Sequence, residues 1–230
     1  MYKEIISKIS VEDVLRSQGA DPNLIKTRSP RLLEVARRAL NETQHLLKPQ
    51  IIQKKVSIQS LCHERIELGD NYVLSSLLLA KHLKGAHSIH FVACTVGPSI
   101  DECVTREMEK DIVYGLAIDG LGSAAVETLA NHVCHTIEEE ATSLDLTTTA
   151  PLSPGMIDWP VEEGQPAIFD VLQPQQIGLR LTPQCIMSPR KSLTMLIGVG
   201  HDLNTSKRTC DYCAMQDRCR YKAHNYQNGR

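Results

Sequence analysis

One stretch near the middle of the chain constrains the fold more than any other. Residues 111–141 carry apolar side chains three to four positions apart, which is the spacing of one face of an α-helix. These positions are Leu121, Ala125, Leu129, Val133 and Ile137. Gly115, Gly120 and Gly122 lie near the start of the same stretch. Because a glycine inside a helix costs about 1 kcal/mol relative to alanine, the three together predict either a break in this helix or a close approach of another backbone.

The composition is that of an ordinary soluble, globular protein. Apolar residues make up 42% of the 230 residues and charged residues 23%, which excludes a disordered or fibrous chain. With two Phe and one Trp in the sequence, the core must be built mainly from aliphatic side chains. The net charge of −2 argues against a general nucleic-acid-binding protein, which needs a basic surface.

No segment predicts export or membrane insertion. Residues 1–20 contain no continuous apolar stretch, so they do not form a signal peptide. The window 72–83 is strongly apolar but includes Lys81 and His82, and it is too short to cross about 30 Å of hydrocarbon. We therefore expect a cytoplasmic protein without membrane contact.

Shorter elements are predicted around the long helix. Residues 1–49 predict a helical segment, with a capping box at Ser10 and Asp13 and another helix start at Ser29 and Pro30. Further helices are predicted over 72–84, 99–109 and 166–173. Strands are predicted in the second half of 51–60 and over 87–94 and 193–200, with 62–68 continuing the first strand or pairing with it. Because helices and strands do not alternate strictly, the pattern favours an α+β fold over a doubly wound sheet.

A long Pro/Gly loop, residues 151–165, contains the only tryptophan, Trp159. Loops of more than about 12–15 residues in compact domains are usually functional or disordered, and a tryptophan would be wasted in a disordered segment. Gly155 lets the backbone approach a ligand closely, and Pro154 and Pro160 stiffen the loop. Two interpretations remain open: a ligand-binding loop, or a structural loop in which Trp159 fills the core.

The residues alone assign no catalytic group. The glycines of the long helix do not match G-x-G-x-x-G, and the chain has no Walker A lysine, no H-E-x-x-H and no G-x-S-x-G. His132 and His135 flank Cys134 on the long helix. We interpret this histidine pair as solvated or hydrogen-bonded rather than as a metal site.

Eight cysteines fall into two groups. Without a secretory signal, a disulfide framework is not expected. Five are scattered singly among apolar neighbours and are expected to be small buried hydrophobic residues. They are Cys62, Cys94, Cys103, Cys134 and Cys185. The other three, Cys210, Cys213 and Cys219, form a C-x2-C-x5-C pattern that fits one metal ion or one edge of an iron–sulfur cluster.

The three clustered cysteines lie in a polar tail, residues 204–230, that we separate from the α+β domain at 1–203. Their cationic neighbours favour thiolates; these are Lys207, Arg208, Arg218 and Arg220. A four-ligand site lacks one ligand, and the candidates for it are Cys185, Cys62, His201 and His224. An iron–sulfur cluster, zinc, a redox dithiol and incidental cysteines all remain open from the spacing.

The tail is also basic. It contains six Lys/Arg and two Asp, a net charge of +4, whereas the rest of the chain carries −6. Such a segment either docks an acidic partner, such as an electron carrier or a corrinoid protein, or is a solvated chain end.

Several short motifs occur in a recognisable order. Ser-Pro-Gly (153–155) is followed by Asp-Trp-Pro (158–160) and by IGLRLTPQCIMSPRKSLTMLIGVG (177–200); FVACTVGPSID (91–101) and AAVETLANHV (124–133) precede them. This order resembles the reactivation domain of cobalamin-dependent methionine synthase, and more closely still the small stand-alone proteins related to it. The resemblance covers about residues 50–200 and implies a curved α+β domain with a central, mostly antiparallel sheet flanked by helices.

The resemblance also implies a function. The family domain binds S-adenosylmethionine over a corrinoid whose cobalt has been oxidised to cob(II). An electron donor, a flavodoxin or ferredoxin, reduces the cobalt, and S-adenosylmethionine methylates it. The implied partner is a corrinoid protein or a methionine synthase that lacks its own activation domain. The implied ligand-binding residues are Pro154, Gly155, Met156 and Asp158.

The chain departs from the family pattern at three positions. Pro151 stands where the family has an Arg and Met156 where it has a Tyr, and the acidic residue of the preceding helix falls near Ser123, one turn before Glu127. An Arg would pair with the methionine carboxylate, so its replacement predicts weak S-adenosylmethionine binding. The alternative function is an iron–sulfur electron-transfer or metal-binding accessory protein for a corrinoid protein, one that no longer uses S-adenosylmethionine.

Overall fold

The computed structural model describes residues 2–203. The helices are α1 (Tyr2–Ile6), α2 (Val11–Ser17), α3 (Pro22–Arg28), α4 (Pro30–Thr43), α5 (Leu77–His82), α6 (Ser99–Met108), α7 (Ile112–Thr142) and α8 (Val161–Leu172). The strands are β1 (Gln50–Cys62), β2 (Arg65–Leu68), β3 (Val73–Ser75), β4 (Ala86–Thr95), β5 (Thr147–Thr148), β6 (Arg180–Leu181), β7 (Met187–Ser188) and β8 (Ser192–Gly200). This arrangement confirms the expected α+β class.

Six strands form one sheet in the order β3-β2-β1-β4-β8-β5, and every neighbouring pair is antiparallel. The neighbouring strands β4 and β8 pair from Thr95 opposite Ser192 to Ala86 opposite Gly200. We call the two ends of the sheet the Ser192 end and the Gly200 end. Strands β6 and β7 form a separate hairpin before β8.

The long helix α7 and the N-terminal helices cover one face of the sheet. The apolar face of α7 packs in one buried cluster with residues of β4 and β8, including Val92 and Ile197. α7 is continuous over the three glycines, so the close-approach alternative is confirmed and the break is not. A Cβ on Gly120 would lie 3.0 Å from the carbonyl oxygen of Val14, and a Cβ on Gly115 would lie 2.8 Å from the Met108 side chain.

The opposite face is covered by α5, α8 and the loop at 151–159. Phe91 of β4 and Leu196 of β8 point to this side and belong to a second buried cluster with Trp159 and Ile168. The sheet therefore separates two cores, and the candidate ligand loop belongs to the second.

The N-terminal helices begin largely as predicted. The Ser10–Asp13 capping box is present, with the Ser10 N–H donating to Asp13 Oδ2 at 2.9 Å and the Asp13 N–H donating to Ser10 Oγ at 3.2 Å. Pro30 is the first residue of α4, but the Ser29 side chain makes no capping hydrogen bond.

The predicted helix over 72–84 is wrong in its first part. Residues Val73–Ser75 form β3, which pairs with β2, and the helix starts at Leu77. Ser76 fixes this start because its Oγ accepts a hydrogen bond from the Leu79 N–H, as an N-cap does.

Two other predicted boundaries are also wrong. The strand predicted in the second half of 51–60 is longer in the structure: β1 runs from Gln50 to Cys62, and its first part is paired with β4. Helix α8 begins at Val161 rather than at 166, and Pro166 lies inside it.

Helix α7 is long and apolar enough to cross a membrane by length and composition. Of its most apolar 18-residue window, 61% is buried inside the fold. We interpret it as the core helix of a domain in which both faces of the sheet are covered.

Candidate functional site

Backbone pairing with β8 anchors the start of the candidate ligand loop. The Leu152 N–H donates to the Leu196 oxygen at 2.9 Å, and the Leu196 N–H donates back at 2.8 Å. Just before it, the Thr149 N–H donates to the Gly198 oxygen, and the Thr149 hydroxyl accepts from the Gly198 N–H. The chain therefore follows the edge of the sheet up to residue 152 and leaves it only for the turn that follows.

Residues 153–159 form a compact turn closed by its own backbone. The Gly155 N–H donates to the Trp159 oxygen at 2.8 Å, the Met156 N–H to the Ser153 oxygen at 3.3 Å and the Trp159 N–H to the Met156 oxygen at 3.1 Å. Gly155 has a φ of +93°, a conformation that a residue with a Cβ rarely adopts. Because these three donors are used inside the turn, they are not available to a ligand.

The turn brings together all four ligand residues that the family resemblance implies, but these residues differ in their exposure to solvent. Met156 is buried, and its sulfur accepts a hydrogen bond from the Ser153 N–H at 3.3 Å. Gly155 and Asp158 are exposed and Pro154 is half-buried. Trp159 is 2% exposed, so it fills the core as the structural interpretation expects. The surface of the turn is therefore formed by Gly155, Ile157 and Asp158.

The N-cap residue of α5 contacts this turn, and a residue of α8 contacts β8; sequence reasoning missed both contacts. The Ser76 hydroxyl donates to the Asp158 carbonyl at 3.1 Å. Gln165 is buried, and its Oε1 accepts a hydrogen bond from Thr194 Oγ1 at 3.0 Å. Ser76 could have been identified as an N-cap because it is a serine directly before an apolar run. Its hydrogen bond to Asp158, however, joins residues far apart in the sequence, and no local pattern predicts it.

The charge around the turn has one sign. Residues 136–179 include no Lys, Arg or His. Asp158 in the turn and Glu162 and Glu163 in the first turn of α8 are exposed. An acidic surface of this kind suits a cationic group on a ligand better than a carboxylate.

Ser123, the residue near the position of the family's acidic residue, contacts a lysine. Ser123 Oγ accepts a hydrogen bond from Lys191 Nζ at 3.0 Å, and the same ammonium lies 2.7 Å from Asp119 Oδ1. The Lys191 side chain is 13% exposed, and a Cβ on Gly122 would lie 2.8 Å from its Cγ. Lys191 therefore ties the segment before β8 to α7, and Ser123 is part of that link.

The scattered cysteines follow the expectation in part. Cys94 and Cys103 are buried and Cys134 and Cys185 are half-buried, but Cys62 is exposed, so that prediction is wrong for Cys62. Burial raises the pKa of the Cys94 thiol to about 12 and that of Cys134 to about 11. These two are inert apolar residues rather than nucleophiles.

Within residues 2–203, no three His, Cys, Asp or Glu side chains are grouped as a metal ion requires. His135 lies 3.1 Å from Glu139 on the next turn of α7, consistent with the hydrogen-bonded interpretation of this pair. Cys210, Cys213 and Cys219 lie outside the described residues, so the metal interpretation stays a prediction.

Comparison with solved structures is informative about the fold. No protein-family model matches the chain, and no curated protein gives a significant match. The crystal structure of the MetH reactivation domain bound to AdoHcy matches with a TM-score of 0.64 and 16% sequence identity, covering 88% of this chain and 76% of that chain. At this identity the match establishes the fold. The chain therefore has the fold of the MetH reactivation domain, as the order of its motifs predicts.

Proposed function

We propose that this chain takes part in the reductive reactivation of a corrinoid cofactor. The corrinoid is held by a cytoplasmic partner, either a methyltransferase or a methionine synthase without its own activation domain. The observation that supports this proposal is the fold, which matches the MetH reactivation domain over 88% of the chain. The motif order over residues 50–200 points to the same function.

The reaction needs an electron and a methyl group. The electron comes from a donor protein such as a flavodoxin or ferredoxin. In the family mechanism S-adenosylmethionine supplies the methyl group that traps the reduced cobalt. The work left to this chain is to dock on the partner, to exclude water over the corrinoid and to orient the methyl donor.

The turn at 153–159 fits the cationic part of S-adenosylmethionine better than its carboxylate. Asp158 and Glu162, which follows it in the chain on α8, are both exposed acids, and they favour a sulfonium or an ammonium group. Pro151 offers the carboxylate no charge, and the Gly155 and Met156 N–H groups are already bonded within the turn. We therefore propose weak binding of S-adenosylmethionine, with its cationic end towards Asp158, and tighter binding of the partner in its cob(II) state.

A reduction assay tests this function. A purified corrinoid protein in the cob(II) state, a chemical reductant and S-adenosylmethionine are mixed with and without the full-length chain, and the cob(II) absorbance is followed. We expect faster loss of cob(II) when the chain is present. Asp158→Asn should slow this loss, whereas Asp170→Asn, an exposed acid further along α8, should not. Equal rates with and without the chain contradict the proposal.

A second candidate function rests on the tail. The C-x2-C-x5-C pattern amid basic residues supports a metal centre, either iron–sulfur or zinc, in a segment whose charge suits docking on an acidic partner. Anaerobic metal and sulfide analysis of the wild type and of Cys210→Ala and Cys213→Ala tests it. A metal-free wild type, or normal metal content in both variants, contradicts it.

A further inference from the structure

A groove lies between the second half of α8 and the start of the hairpin that β6 and β7 form. Its volume is about 760 Å³, which is in the range of small-molecule sites. No residue of the turn at 153–159 lines it, and its lining includes three apolar residues, Pro166, Phe169 and Leu181. The polar lining consists of Asp170, Gln173, Gln175 and Arg180. Since Asp170 follows Glu163 on α8 by two turns, or about 10 Å, the groove is distinct from that turn.

The four polar side chains of the groove are available to a ligand. All four are exposed, and within residues 2–203 none of them forms an ion pair or a side-chain hydrogen bond. Asp170 and Arg180 carry opposite charges and line the same groove, but they are not paired with each other. The groove therefore offers one anion, one cation and two amides whose hydrogen-bonding groups are unused.

Asp170 lies where a carboxylate is unfavourable without a nearby cation. It belongs to the last turn of α8, which contains no basic residue, and the macrodipole makes this end of a helix negative. The Asp170 carbonyl is also unsatisfied. The residue four positions on is Pro174, which has no N–H, and no other described residue donates a hydrogen bond to this carbonyl. This end of α8 therefore suits a cationic hydrogen-bond donor such as an ammonium group.

Arg180 supplies the opposite charge from a backbone that the fold holds in place. It is the first residue of β6 and pairs with Ser188 of β7, and residues 189–191 join this hairpin to β8 at the Ser192 end of the sheet. The preceding residue, Leu179, is buried, and its N–H donates to the Pro174 oxygen at 3.2 Å. A guanidinium binds a carboxylate through two parallel hydrogen bonds, and a fixed backbone lowers the entropy cost of using it.

We propose that this groove binds a zwitterionic α-amino acid with an apolar side chain. Its ammonium group is bound by Asp170 at the end of α8, its carboxylate by Arg180, and its side chain packs against the apolar lining at Phe169 and Leu181. A simple anion or a simple cation would leave one of the two charged residues without a partner, whereas a zwitterion satisfies both. This proposal does not depend on the corrinoid function.

Calorimetric titration of the full-length chain with L-phenylalanine tests the ligand class. We expect a Kd of about 1 mM or below. Three analogues each lack one of the recognised groups: L-phenylalaninamide has no carboxylate, N-acetyl-L-phenylalanine has no ammonium group and glycine has no apolar side chain. Each analogue should bind more weakly than L-phenylalanine by about tenfold or more, because each leaves one part of the groove unmatched. Absence of L-phenylalanine binding, or equal binding of all three analogues, would overturn the proposal.

Two variants assign the charges to their residues. Arg180→Gln and Asp170→Asn should each weaken L-phenylalanine binding by about tenfold or more. Arg180→Gln should also remove the preference over L-phenylalaninamide, and Asp170→Asn the preference over N-acetyl-L-phenylalanine. Arg31→Gln and Asp145→Asn, at exposed positions outside the groove, should bind like the wild type.

The same variants separate this site from the proposed corrinoid function and from folding. Asp170→Asn should lower amino-acid affinity without slowing the loss of cob(II), because the groove is distinct from the turn at 153–159. Since the altered side chains are exposed, all four variants should melt at the wild-type temperature. Wild-type affinity for L-phenylalanine in either Arg180→Gln or Asp170→Asn would contradict the assignment.

Discussion

Gly164 of α8 lies directly against the ring of Pro154. A Cβ at Gly164 would come within 2.7 Å of Pro154 Cγ and 2.8 Å of Trp159 Cε2. Both neighbours are rigid rings, so neither can move aside by a rotamer change. The helix α8 and the turn at 153–159 therefore form one packed unit, and the position of the turn depends on a residue of the helix.

Gly164→Ala should lower the free energy of unfolding by about 1–3 kcal/mol, as overpacking of a core does. In an unconstrained helix the same change would stabilise by about 1 kcal/mol, so the sign distinguishes the two cases. Denaturant unfolding measures it. Glu163→Ala, the exposed neighbour on the same turn, should change stability by about 0.5 kcal/mol or less. A stabilised Gly164→Ala would show that the loop does not pack on α8 as described.

The single tryptophan makes the turn observable by fluorescence. Trp159 is 2% exposed, so its emission should be blue-shifted and poorly quenched by acrylamide in the native state. Gly155→Ala should strain the turn by about 1–2 kcal/mol, because alanine must take a positive φ, and should increase quenching. Ile157→Ala, an exposed side chain of the same turn, serves as the control. Unchanged quenching in Gly155→Ala would contradict the geometry of the turn.

The parts of the fold that sequence predicts well are those with a periodic or local signal. The long helix, the capping box at Ser10 and the strand that became β4 were predicted because their spacing alone encodes them. Val73–Ser75 were missed because their strand exists only through pairing with β2. The turn at 153–159 was found as a segment, but its internal hydrogen bonds and the contact of Gly164 with Pro154 depend on tertiary packing.

The scattered cysteines should react in order of exposure. At about pH 8 an ordinary thiol is partly thiolate, whereas the pKa of Cys94 is raised to about 12 and that of Cys134 to about 11 by burial. Iodoacetamide should therefore label Cys62 first and should leave Cys94 and Cys134 unmodified until the protein unfolds. Peptide mass mapping over time measures this order. Early labelling of Cys94 in the native chain would contradict its burial.

His90 should make the fold sensitive to mild acid. Burial on β4 lowers its pKa, and Lys55, its partner on β1, lowers it further, whereas Glu140 acts in the opposite direction. The unfolded chain therefore binds a proton at this histidine more readily than the folded chain does. The contribution of neutral His90 to the free energy of unfolding is complete above the unfolded pKa of about 6.5, and it is lost as the pH falls below that value. Melting temperature between about pH 7.5 and pH 5.5 should fall less in His90→Gln than in the wild type. His87→Gln, at an exposed position, should follow the wild type. Identical profiles for His90→Gln and the wild type would exclude this role.

Binding of S-adenosylmethionine should depend on the charge missing at position 151. The loop offers its carboxylate no cation, and a charge-assisted hydrogen bond of this kind is worth about 1.5–3 kcal/mol. Pro151→Arg should therefore tighten binding by about ten- to a hundredfold in a calorimetric titration of the full-length chain. Pro151→Gln removes the proline without adding charge and should bind like the wild type. Met156→Tyr is not a matched test here, because Met156 is buried and its substitution would disturb the core. If the wild type already binds in the low micromolar range (about −8 kcal/mol) and Pro151→Arg adds nothing, another residue holds the carboxylate and the loop does not limit affinity.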